Sequence, residues 1–319
     1  MGPHDPSSQS EESDDPTITL LQTYNSLNPS TITTLTSLPS PLEFLRFVAQ
    51  NRPFVIRGGA ADWKAVREWN VTSLKEVLEG VSVNVAVTPI GNADSPIKSP
   101  TTNELLFVKP HEEQQPFSTF LDFIIAQEKA ISSSSSLPTF NSPPSHPKEI
   151  PGGEVRYAQT LNLWIGNSLS ITALHKDNYE NIYVQIIGKK HFVLLPPVAW
   201  AGVGERVLKG GRYVRRRSES EGKLEEGKED ERDGFDIILD EEENSVPFAT
   251  WDPDSPLTSE EGNGTKYSKF VEPVRVTLEE GDMLYLPALW HDMEFGGGFW
   301  PMCNFIRDVG LAAAAAAAK

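Results

Sequence analysis

The hydrophobic pattern of this chain switches between helical and strand periods several times. Leu42, Leu45 and Val48 recur at helical spacing behind Ser40-Pro41-Leu42-Glu43. There Ser40 is placed to cap the helix, Pro41 suits its first turn, and Glu43 can reach back to complete a capping box. Pro53-Phe-Val-Ile-Arg-Gly58 predicts a short strand stopped by Gly58-Gly59, followed by a short helix flanked by Trp63 and Trp69, both expected in the core. A further helix is expected around Ser73–Leu78. Val81, Val83, Val85 and Val87 then alternate with Ser82, Asn84 and Ala86, the period of a half-buried strand. Leu105–Val108 predicts another strand, and Phe120, Leu121 and Ile124 place a helix over Phe117–Ala126.

Strand patterns dominate the second half: Val155–Gln159, Leu161–Gly166, the run from Thr172 to Pro197, Val274–Leu278, and Met283–Leu286 leading into Pro287. Strands this short, punctuated by Gly and Pro, predict a mainly β fold, a barrel-like double sheet open at one end with helices around it. With 319 residues the chain suits one large domain. Residues 1–35 are expected to form a disordered tail, 36–310 a single domain, and 311–319 a low-complexity alanine tail. Flexible loops are expected near 131–153, with its five serines, and near 203–245, where charge is dense. Arg215-Arg216-Arg217 suggests a nuclear signal or docking patch, but the acidic residues crowding in after it favour a solvated insertion.

Charge and cysteine content narrow the function. The net charge of −17 argues against direct nucleic-acid binding, which needs a basic face. Cys303 is the sole cysteine, so neither a disulfide framework nor a thiolate metal cluster is expected. No apolar run is long enough to span a bilayer, and the first residues lack the charged and apolar regions of a signal peptide. The expected location is the cytoplasm, with the nucleus also open.

The candidate chemistry lies in Thr172-Ala-Leu-His-Lys-Asp-Asn-Tyr-Glu-Asn181 and the strand after it. On a strand, residues two apart share a face, so His175 and Asp177 can converge on one metal ion. A His-x-Asp pair with a distant second His is the ligand set of non-haem Fe(II) oxygenases. Beyond the Gly188-Lys189 turn, Lys190 would face the same cavity, where a buried ammonium needs an anion to offset its burial.

Five segments carry a resemblance: Ser40-Pro-Leu-Glu-Phe-Leu-Arg46, Val85-Ala-Val-Thr-Pro89, Asn162-Leu-Trp-Ile-Gly166, His175-Lys-Asp-Asn-Tyr-Glu-Asn181 and Leu284-Tyr-Leu-Pro-Ala-Leu-Trp290. With them the chain resembles the JmjC-domain, cupin-like oxygenases that depend on Fe(II) and 2-oxoglutarate. Within these it is most similar to the small JmjC-only peptidase and lysyl hydroxylase group. The resemblance implies a double-stranded β-helix of the cupin or jelly-roll kind. It implies His175 and Asp177 as iron ligands, Lys190 on the distal carboxylate of 2-oxoglutarate, and Thr172, Asn181 and Tyr157 lining that pocket. The implied activity is hydroxylation of a lysine side chain in a protein partner, such as a translation-associated GTPase. The group's alternative activity, metal-dependent peptide hydrolysis, would make Asp292 or Glu294 a candidate base. Two family segments are missing here, one after Gln159 and one after Trp290. The second gap removes the stretch that bears the second iron-binding His, leaving His291 as either the third ligand or a bystander. A third outcome is a catalytically impaired module that keeps the fold.

Overall fold

A computed structural model describes residues 15–133, 160–215, 234–240, 245–254, 263–297 and 300–307. The chain opens with helix α1 (Pro16–Leu27), strand β1 (Thr33–Leu35), α2 (Pro41–Gln50), β2 (Phe54–Ile56), α3 (Lys64–Glu68) and α4 (Val71–Val77). Next come β3 (Ser82–Val87), β4 (Asn92–Ala93), β5 (Ser95–Lys98), β6 (Leu105–Lys109), β7 (His111–Pro116) and α5 (Phe117–Ser133). The remaining strands are β8 (Thr160–Gly166), β9 (Ile171–Lys176), β10 (Glu180–Gln185), β11 (Lys190–Leu195), β12 (Arg206–Arg215), β13 (Phe235–Leu239), β14 (Ser245–Phe248), β15 (Val274–Leu278), β16 (Met283–Leu286), β17 (His291–Gly296) and β18 (Trp300–Arg307).

Two sheets face each other. One has the order β1-β2-β16-β10-β18-β8 and the other β15-β11-β17-β9-β4. Their inner faces meet in a core of Val55, Tyr183, Leu284 and Leu286 from the first and Phe192, Leu194, Val274, Val276 and Leu278 from the second. Alternation sends the intervening residues outward. Phe54, Ile56, Val184 and Tyr285 pack beneath α4 and α5, against Leu74, Phe120 and Ile124. On the far side Leu174, Val193, Leu195 and Met293 pack against Leu21 of α1 and Trp251. Three apolar layers around two sheets are the physical basis of the expected jelly-roll architecture.

Local chemistry fixes the junctions. The capping box of α2 is present: Ser40 N donates to Glu43 Oε2 at 2.8 Å and Glu43 N donates to Ser40 Oγ at 3.3 Å. Its last turn ends in Asn51, in the left-handed region at φ 49°. The side-chain oxygen of Asn51 accepts from Trp290 Nε1 at 2.6 Å, pinning the β16–β17 connection to the helix. Asp282, nearly buried, accepts from Arg57 Nη1 at 2.5 Å, Gly58 N at 2.9 Å and Glu279 N at 3.0 Å, and so ties the turn before β16 to β2. Gly281, at φ 82°, lets that turn lie against Ala61, whose backbone a Cβ would meet at 3.3 Å.

Two expectations need correcting. The tail predicted over 1–35 does not include Pro16–Leu27, which form the capped helix α1, and residues 1–14 lie outside the described residues. Asp15 accepts from Thr17 N at 2.9 Å, Leu21 is buried, and Asn25 Nδ2 donates to Phe270 O at 2.9 Å. The stretch near 203–245 is not only a solvated insertion, since β12 pairs with β6, β13 and β14 in a further sheet, with Leu106, Val108 and Tyr213 as its small core. Arg215 ends β12 and donates to Glu113 Oε1 at 3.1 Å, whereas Arg216 and Arg217 lie outside the described residues. The serine-rich loop is outside them except for its first residues, which extend α5 to Ser133.

Candidate functional site

The site is built where β9, β17 and β11 lie side by side. In antiparallel register His175 sits opposite Asp292 and Lys176 opposite His291, so each pair shares a face and the two faces are opposite. A bulge between Asp292 and Glu294 gives β9 one extra residue, bringing Thr172 opposite Glu294. Thr172 is thereby returned to the same face as His175, although it lies an odd three positions before it. On β11, Lys190 follows the same inner face as Phe192 and Leu194, which lie opposite Glu294 and Asp292. The inner face at this end of the double sheet therefore carries Thr172, His175, Lys190, Asp292 and Glu294. His291, Met293 and Phe295 go to the other side.

Asp177 lies just past the end of β9. Its carboxylate accepts from Asn181 Nδ2 at 3.0 Å, and its carbonyl accepts from Leu289 N at 2.7 Å. Asn181 is 1% exposed, so its amide is fixed and holds the Asp177 carboxylate in one orientation. His175 Nδ1 lies 3.0 Å from Ala173 O, which sets the ring's orientation when that nitrogen carries the proton.

Charge is concentrated here. Lys190, 1% exposed, forms an ion pair with Glu294, and its Nζ sits 5.6 Å from the centroid of the Phe192 ring. Burial pushes the Lys190 ammonium below its ordinary pKa, with Glu294 and Asp292 acting the other way. Burial also disfavours the His175 imidazolium, but the carboxylates of Asp292, Asp177 and Glu294 outweigh it and raise that pKa to about 9. Asp292 is fully buried, and both its carboxylate oxygens lack a hydrogen-bond partner among the described residues. Its pKa is raised by burial, with His175 opposing and Glu294 and Asp177 adding to the rise. Both shifts run in the direction of a proton retained between His175 and Asp292 near neutral pH. Asp94, between β4 and β5, is near enough for the charge of His175 to act on it.

The cupin-like domain family matches residues 40–294 of this chain. The chain belongs to that family. Among curated relatives it is 29% identical to the human bifunctional peptidase and (3S)-lysyl hydroxylase JMJD7, over 82% of this chain and 79% of that protein. It is 28% identical to the lysine-specific demethylase JMJ32 of Arabidopsis thaliana, over 80% and 74%. It is 27% identical to JmjC domain-containing protein E of Dictyostelium discoideum, over 79% and 75%. The JmjC-type cupin-like assignment expected from the motifs is therefore established, and with it an oxygenase ancestry.

Within this cupin-like frame the proposed site residues divide. His175, Lys190 and Thr172 lie on the inner face, and Asp177 and Asn181 adjoin them. Tyr157 lies outside the described residues. His291 does not join them: it is buried on the outer face of β17, both ring nitrogens lack partners among the described residues, and burial lowers its pKa to about 4. The position opposite His175 belongs to Asp292. Alternation in His291-Asp-Met-Glu-Phe295 carried that signal, because Met293 and Phe295 are the apolar face and His291 goes with them.

The iron and 2-oxoglutarate implied by the family can be tested against these residues, and they do not fit as arranged. Among the described residues, no group of three His, Cys, Asp or Glu side chains is placed to hold a metal ion. The one remaining candidate imidazole faces away, and the lysine expected to take the co-substrate's carboxylate already pairs with Glu294. No catalytic step through either group follows from this arrangement.

Proposed function

We propose that this chain belongs functionally with the protein-lysine hydroxylases of the cupin-like family, as a member whose centre is only partly assembled. The observation that supports this most is the fixed neighbourhood of His175 and Asp177, with Asn181 orienting the carboxylate, inside a double sheet of that family. These residues can orient a lysine-bearing protein segment at the open end of the sheets, where His175 and Thr172 remain partly exposed. The acidic chain would favour approach of a basic segment, an effect that weakens as salt rises.

The test is calorimetric binding of lysine-containing peptides, with matched peptides carrying norleucine in place of lysine as control, to the chain and to Asp177→Ala. Lysine-dependent binding that weakens in Asp177→Ala is the result this reading expects. Binding indifferent to the lysine, or equal in both proteins, would overturn it. A second reading, a protein-binding module without turnover, is favoured by the outward orientation of His291 and by the Lys190–Glu294 pair.

A further inference from the structure

We infer that Glu294 is a built-in occupant of the anion position beside Lys190, and that a small dicarboxylate such as 2-oxoglutarate enters there only once that carboxylate is removed. The inference takes Lys190 as the anion-binding group expected from the sequence and otherwise does not rest on the reading above. Glu294 lies across from Phe192, two residues from Lys190 on the same inner face, a diagonal distance that long side chains bridge. The two side chains are 1% and 7% exposed, so the pair is removed from water. A lone ammonium at this depth would be costly, and Glu294 supplies the counter-charge from within the chain.

Two features make the occupancy hard to displace. Glu294 is tethered on the neighbouring strand, so a free carboxylate competes against an intramolecular partner of high effective concentration. An incoming dicarboxylate would also add negative charge beside Asp292 and Asp177, with Lys190 already neutralised. The Lys190 ammonium, fixed over the Phe192 ring, would otherwise suit a carboxylate reaching in from the His175 side.

The experiment measures binding, not turnover, on the full chain with a chelator present and no metal added. Saturation-transfer NMR and calorimetry with 2-oxoglutarate and with succinate, chloride serving as control, compare the wild type with Glu294→Gln and with the Lys190→Met/Glu294→Leu double variant. Glu294→Gln keeps the hydrogen bond but removes the charge, and should gain affinity by roughly tenfold or more over the wild type. The double variant should melt as a folded protein and bind neither acid. Wild-type binding as tight as that of Glu294→Gln would overturn the inference, as would a folded Glu294→Gln that binds nothing. Because no peptide enters, the outcome is separable from the peptide-binding test.

Discussion

At the residue scale, His291 shows how one side chain's burial writes itself into a pH profile. Its folded pKa is depressed to about 4, whereas in the unfolded chain it titrates near the ordinary histidine value of about 6.5. The folded state therefore excludes a proton that the unfolded state takes up. The corresponding stability is present above pH ~6.5 and is lost as pH falls towards about 4. Between pH 8 and pH 5 the loss amounts to about 2 kcal/mol. His291→Leu, which suits the apolar company of Met293 and Phe295, should remove that part of the acid sensitivity. In urea titrations the gap in unfolding free energy between the two pH values should narrow by that amount. An unchanged gap would place the acid-sensitive group elsewhere. His175 and Lys190 were legible from the sequence because a strand pattern and a turn fixed their faces. For His291 the place after Leu284–Trp290 left ligand and bystander both open, and its parity with Met293 and Phe295 is what turns it outward.

At the element scale, the β16–β17 connection is the tight point of the structure. Leu289 adopts φ 69°, a left-handed conformation that costs a branched side chain about 1–2 kcal/mol, and its N–H is committed to Asp177 O. Trp290 follows, buried and held by Asn51 at the end of α2. The strain is sustained because both neighbours over-determine it. Leu289→Asn should relieve part of it, raising unfolding free energy by up to about 1 kcal/mol in denaturant titration. A destabilised variant would mean that the half-exposed leucine contributes more by packing than its backbone costs. The α2 capping box was readable residue by residue, since caps are local chemistry. The left-handed Leu289 was not, because nothing in Ala288-Leu289-Trp290 asks for it; the anchors at Asn51 and Asp177 lie far away in sequence. The bulge that turns Thr172 inward is likewise a property of two strands together, invisible in either alone.

At the scale of the whole molecule, the two sheets and their three apolar layers were legible in outline, because alternation and Gly/Pro punctuation persist through the second half of the chain. Where α1 would dock was not. Its ties run to Lys266, Tyr267 and Phe270, some 250 residues away, and a short helix behind a polar tail carries little periodic signal of its own. Among the described residues no three His, Cys, Asp or Glu side chains are placed to hold a metal ion, so folding is expected to draw no stabilisation from one. Adding Mn(II) or a chelator should therefore move the melting temperature by less than ~1 °C, whereas a ligand at a hundred times its dissociation constant would add about 2.7 kcal/mol. A shift of several degrees with metal would contradict the arrangement of β9 and β17. The Lys190–Glu294 pair then has a meaning for inheritance. A buried lysine that carries its own counter-charge needs no ligand to fold, so substitutions that abolish ligand binding elsewhere in the site need not cost the fold.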